Sequence, residues 1–187
     1  MAKALTIVGL GGSLAKISRS RAALQTALEG AAAAGADTQL LDIRDLDLPM
    51  YNPDDDEPTE AASRLIEVSY AADGMLWSSP MYQGAISGAF KNALDWLHPL
   101  GDRDPSYLHD KVIGLISAAG GTQGLQAINT MEFSVRALRG WAAWAATWSN
   151  GWSVTAMTWL RTHAPAAAPP RRSRSSSPRS SRRESPG

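Results

Sequence analysis

Three short stretches hold the residue types that could do chemistry. The first is Gly11-Gly12-Ser13-Leu14-Ala15-Lys16-Ile17-Ser18, followed closely by Arg19, Ser20 and Arg21. Glycines let a backbone approach a ligand closely. Hydroxyls on Ser13, Ser18 and Ser20 can donate to phosphate oxygens, and Lys16, Arg19 or Arg21 can supply charge. A helix starting after such a loop adds unpaired N–H groups and positive dipole potential. A monophosphate fits this arrangement, and so does an ordinary Gly/Ser turn. Two other phosphate motifs fail: G-x-G-x-x-G breaks at Leu14, and Gly-Lys-Ser/Thr is absent. The second stretch is Ser78 to Gly88, in which Pro80 stiffens a turn, Tyr82 offers a flat amphipathic face, and Gln83 and Gly84 offer donors at an expected helix start. A planar heteroaromatic ring could lie there, although a surface aromatic beside a turn reads the same way. The third runs from Ser117 through Gly120 and Gly121 to Thr122.

The elements that must position these stretches alternate. Leu5 to Val8 is β-prone. Arg19 to Ala34 reads as a helix, Thr38 to Ile43 as a strand, Asp45 to Pro58 as a loop with an acidic run, and Thr59 to Ala72 as a helix with Thr59 as N-cap. Gly74 to Trp77 is a third strand, Ser78 to Gly84 a loop, and Ala85 to Leu97 a helix. That helix has Ala85, Ala89, Phe90, Ala93, Leu94 and Leu97 on its apolar side, with Lys91, Asn92 and Asp95 elsewhere. Lys111 to Ser117 is a fourth strand, and a last helix runs to about Leu138. This β-α alternation predicts a doubly wound parallel sheet covered on both faces. Ligands then bind beyond the carboxyl ends of the strands, where the strand order reverses. The three stretches all follow strand ends and would meet there.

Composition narrows the class. With 187 residues and no Cys, the chain fits one domain and excludes a disulfide scaffold, a Cys-ligated zinc site and an iron–sulfur cluster. No apolar run reaches the ~18 residues that span a bilayer, and no secretory signal is expected, since Met1-Ala2-Lys3 runs straight into a strand-like segment. A cytoplasmic protein with no membrane association is expected. The net charge of zero hides an asymmetry. Residues 1–160 hold 11 Lys+Arg and 17 Asp+Glu, a net of −6; residues 161–187 hold seven Arg and one Glu, a net of +6. Residues 1–163 read as the globular domain. Residues 164–187 are almost entirely Ala, Pro, Arg and Ser and read as a disordered tail. The tail has no aromatic to stack on bases, so nucleic acid is not an expected partner.

The Gly-Ser-Leu at 12–14, the run Ser-Pro-Met-Tyr-Gln-Gly-Ala-Ile-Ser-Gly-Ala-Phe-Lys-Asn-Ala-Leu-Asp-Trp-Leu at 79–97 and Ser-Ala-Ala-Gly-Gly-Thr at 117–122 resemble the NAD(P)H-dependent FMN reductases. The resemblance covers roughly Leu5 to Trp141 and implies a flavodoxin-like fold. It implies that Ser13, Ser18, Ser20 and Arg21 hold the FMN phosphate. Pro80, Met81, Tyr82, Gln83 and Gly84 would wrap the flavin ring, and Ser117, Gly120 and Gly121 would border its other edge. It also implies NADPH or NADH as hydride donor, a homodimer or homotetramer built through the helix 85–97, and no catalytic side chain, since the cofactor carries the chemistry. His98 and His109 are then surface or helix-end residues, and no metal is required. Two other readings keep the fold: a flavin-dependent quinone or azo reductase, and a non-catalytic flavodoxin-like electron carrier.

After Trp141 the resemblance stops. Five of the seven Trp lie between 141 and 159, and the spacing of Trp141, Trp144 and Trp148 suits a helix better than a strand. The expectation is therefore a last strand and closing helix that are altered or missing. Ala, Arg, Pro, Ser and Trp are also what a GC-rich gene gives when read out of frame.

Overall fold

The computed structural model describes residues 3–54, 57–119 and 123–148. The elements are β1 (Thr6–Gly11), α1 (Arg19–Ala33), β2 (Asp37–Asp42), the single turn α2 (Ile43–Leu46), α3 (Glu60–Ala71), β3 (Gly74–Tyr82), β4 (Ala85–Ile86), α4 (Gly88–Asp95), a 3₁₀ turn (His98–Asp102), β5 (Val112–Ala118), α5 (Gly124–Ala137) and β6 (Trp141–Trp148). The five long strands are all parallel, in the order β2-β1-β3-β5-β6. That is the doubly wound order of flavodoxin-like sheets, and its direction of winding reverses between β1 and β3.

Alternation along the strands sorts their side chains onto two faces. Val8, Leu10, Met75, Trp77, Ile113 and Leu115 turn to the face where α3, α4 and α5 contribute Leu65, Ile66, Phe90, Ile128 and Met131, with Leu97 just beyond α4. Ile7, Leu40, Leu76 and Ile116 turn to the other face and pack on Ala23, Leu24 and Leu28 of α1. Val112 and Trp141, opposite one another across β5 and β6, share this second face and stay 45% and 64% exposed.

Three expectations need correcting. The segment 78–84 is not a loop, because β3 continues to Tyr82 and folds back through β4, with Met81 opposite Ile86 and Tyr82 opposite Ala85. Pro80 is tolerated inside the strand because β1 ends opposite Ser78; beyond that point Pro80 has a neighbour only on the β5 side, Ala118. The helix therefore starts at Gly88 rather than Ala85, with the Ser87 hydroxyl capping the Phe90 amide.

The third correction concerns the last strand, expected to be altered or missing, whose place in the sheet β6 takes. Its ladder shifts register between Gly114 and Leu115, with Ala143 opposite the former and Ala145 opposite the latter. Trp144 is thus the extra residue of a bulge. One inserted residue shifts the phase of a period-two pattern, which explains why the Trp spacing imitated a helix. Gly120, Gly121 and the expected tail at 164–187 lie outside the described residues.

Candidate functional site

The site grows from the carboxyl ends of β1, β3 and β5. Gly11 stands opposite Ser78 across β1 and β3, and the Gly12 amide donates to the Ser78 carbonyl at 3.1 Å. A Cβ on Gly11 would lie 2.9 Å from both the carbonyl carbon and the amide nitrogen of Ser78, so only glycine lets the two backbones close. Ser78 also reaches across with its hydroxyl, which donates to the Ser20 carbonyl at 2.9 Å. The first turn of α1 is thereby fixed to β3.

The loop between β1 and α1 presents donors. Ser13 is buried, and its hydroxyl oxygen accepts from the Ala15 amide over a long 3.4 Å, which leaves its own proton to give. Ser18 is the N-cap of α1 and accepts the Arg21 amide at 3.1 Å. The Ala22 amide returns to the Ser18 carbonyl. The amides of Arg19 and Ser20, in the first turn, have no carbonyl within the helix to bond, and neither donates to another described residue. The Ser20 side chain is buried against the body of the protein. Lys16 and Arg19 are exposed. Arg21 behaves differently, because its Nε pairs with the buried Asp42 carboxylate at the end of β2.

The hairpin after β3 presents backbone and one aromatic. Pro80 is buried, Met81 is half-buried, and Tyr82 is 54% exposed at the rim. Gln83 and Gly84 both have positive φ, 49° and 82°, as a two-residue antiparallel turn requires. That places them at a hairpin tip rather than at a helix start. The Ser79 hydroxyl, buried beneath, accepts the Ser87 amide at 3.0 Å and ties the hairpin to α4. Beside Ser79 in the sheet stands Ser117 of β5, fully buried, its hydroxyl without a hydrogen-bond partner among the described residues.

Sequence reasoning brought Ser13, Ser18, Ser20, Pro80 to Gly84 and Ser117 to one edge of the sheet, and the structure places them there. It missed two residues. Asp42 sits under Gly12, and its signal was an acid closing an apolar strand run. Asn92 was assigned to the polar side of its helix, but it is buried. It donates to the Pro49 carbonyl at 2.9 Å and accepts the Tyr51 amide at 2.8 Å, while the Trp96 indole donates to the same Pro49 carbonyl. Trp96 is therefore core, together with the whole apolar side of α4. His109 precedes β5 at the opposite end of the sheet and faces Asp110. No helix among the described residues is long and apolar enough to cross a membrane.

Comparison with known proteins agrees with this geometry. The chain is 36% identical over 98 residues to an NADPH azoreductase of Bacillus sp. (strain OY1-2), covering 52% of each protein. It is 35% identical over 126 residues to a probable NADPH:quinone oxidoreductase of Oryza sativa subsp. japonica, covering 65% of this chain and 60% of that one. The chain thus spans only about half to three-fifths of the length of these curated relatives. The crystal structure of RosB with a bound 8-demethyl-8-formylriboflavin-5′-phosphate intermediate shares the fold, with a TM-score of 0.66 and 19% identity over 81% of this chain and 68% of that one. A family model described as NADPH-dependent FMN reductase matches residues 5–152, extending eleven residues past the point where the resemblance was expected to stop. The chain belongs to the NADPH-dependent FMN reductase family.

Proposed function

We propose that this chain is an NAD(P)H-dependent FMN reductase that holds FMN across the β1/β3 reversal. The observation that carries this reading is the cradle after β1. Two glycines close on Ser78, the Ser13 and Ser18 hydroxyls line the loop, and the Arg19 and Ser20 amides, at the start of a 15-residue helix, have no partner among the described residues. Such a helix start favours a phosphate dianion, and the residues present fit a phosphate monoester.

Ser13, Ser18, the Ser20 amide and Arg21 would hold the phosphate. The 80–84 hairpin would line one side of the flavin ring, with Tyr82 at its open edge. Ser117, together with Gly120 and Gly121 beyond the described residues, would border the other. When bound, FMN supplies the redox chemistry, accepting a hydride from NADPH or NADH and passing electrons to an acceptor. The protein binds, orients and excludes water, and no side chain acts as an acid or base.

The named activities of the two relatives support a quinone or azo compound as the acceptor. A non-catalytic electron carrier of the same fold is the competing reading. The rim also leaves Ile17 92% and Met50 80% exposed, which supports a homodimer or homotetramer that covers them; α4 has no apolar side chain left for this. We place the protein in the cytoplasm. Steady-state NADPH oxidation is the test. Turnover that requires added FMN supports the reductase, and a protein that retains FMN but does not oxidise NADPH or NADH is the carrier instead.

A further inference from the structure

Asp42 is the only buried ionisable side chain among the described residues, 5% exposed. Burying a carboxylate is costly unless it is paired and hydrogen-bonded. One oxygen, Oδ1, accepts the Arg44 amide at 3.0 Å and caps α2. That role needs no charge, since Asn or Ser caps a helix as well. The other oxygen, Oδ2, takes Nε of Arg21. The negative charge of Asp42 is therefore there for the guanidinium.

The pair lies directly against the loop after β1. A Cβ on Gly12 would stand 3.1 Å from Asp42 Oδ1 and 3.6 Å from Arg21 Cβ. With Nε on Asp42 and Nη1 3.4 Å from Gln25 Oε1, Nη2 has no partner among the described residues. The Arg21 side chain remains 45% exposed while its partner is buried. Lys16 and Arg19, the other cations of this loop, make no side-chain contact of this kind among the described residues.

We infer that Asp42 is a positioning residue for phosphate recognition: it pins Arg21 by Nε beside Gly12 so that the free face of the guanidinium meets the ligand's phosphate monoester. This rests on the FMN reading above and adds to it the source of discrimination between a phosphorylated and an unphosphorylated flavin. A planar guanidinium held at one nitrogen keeps its remaining donors in a fixed direction, which a solvated lysine does not. The charges also make the pair interdependent. Without Arg21, Asp42 is a buried anion beneath an anion site and opposes the ligand.

The test is a set of flavin titrations, by fluorescence quenching, of the native chain, Asp42→Asn, Arg21→Gln and the double variant, each against FMN and riboflavin. Asn keeps the α2 cap and loses the charge. Asp42→Asn is expected to lower the FMN-to-riboflavin affinity ratio about tenfold, as for a lost hydrogen bond to a charged group, with riboflavin affinity unchanged. Arg21→Gln should lower the ratio at least as far. Adding Asp42→Asn to it should lower the ratio no further, and should restore part of it. Asp42→Asn that keeps the native ratio, or that lowers it by the same factor with Arg21 already gone, overturns the inference and leaves the FMN reading intact. Should Asp42→Asn fail to fold, a native ratio in Arg21→Gln overturns it alone. Equal affinity of the native chain for FMN and riboflavin overturns both readings.

Discussion

The loop after β1 and the hairpin after β3 flank the same crevice but are built in opposite ways. The first is braced from outside: Gly11 and Gly12 close on Ser78, the Ser78 hydroxyl holds the Ser20 carbonyl, and Asp42 holds Arg21. The second is anchored only at its base, where the Ser79 hydroxyl holds the Ser87 amide and Ile86 is buried in the core. β3 and β4 pair with each other, and the tip at Gln83 and Gly84 stands in open space. The difference matches the task proposed for each. A phosphate is recognised by donors at fixed positions, which need bracing. A flat ring is recognised by area and backbone, which a protruding hairpin can offer.

The same substitution in the two loops should separate them. Gly11→Ala drives a methyl into the Ser78 backbone, and neither strand can retreat without breaking the parallel ladder. A loss of about 3 kcal/mol is expected, at the upper end of overpacking costs, together with loss of FMN retention; thermal melting and the visible spectrum of the purified protein check both. Gly84→Ala meets nothing within 4 Å, so its cost is only that of a left-handed backbone, about 1–2 kcal/mol. Chemical denaturation should rank it well below Gly11→Ala, with FMN still bound. Equal effects would remove the distinction between a braced loop and a free hairpin tip.

The smallest effect lies away from both loops. Burial of the Lys111 ammonium pushes its pKa below the ordinary 10.5, with Asp73 pulling the other way. Between the lowered value and 10.5 the unfolded chain binds more protons than the folded one, so this lysine makes stability rise with pH through that window. Melting temperature against pH should therefore climb more steeply there for the native chain than for Lys111→Met. Parallel curves would show that Lys111 carries no such linkage.

The alternation from β1 to α5 was legible because the strands read as short apolar runs and the helices as longer patterns with an apolar side. The place of the loop after β1 was legible too, because Gly-Gly-Ser falls between a β-prone run and an Ala-rich helix, although an ordinary turn reads the same way. What stayed hidden depends on partners distant in sequence. Asn92 counts as polar on a helical wheel, and only the return of Pro49 and Tyr51 makes it a buried clamp. Pro80 ends a strand in most settings, and only the early end of β1 lets it stay inside one. Trp144 broke the alternation of β6 because a bulge absorbs it. Asp42 was unremarked because nothing local says that Arg21, 21 positions earlier, will cover it.

The most direct test of the account is a titration of the full chain with FMN and with riboflavin, followed by visible absorbance and fluorescence. One FMN per chain is expected, held about tenfold or more tighter than riboflavin, with Ser13→Ala losing most of that preference, as removal of a hydrogen bond to a charged group implies. A folded protein that binds no FMN, or that binds both flavins equally, would contradict the phosphate cradle and the function built on it.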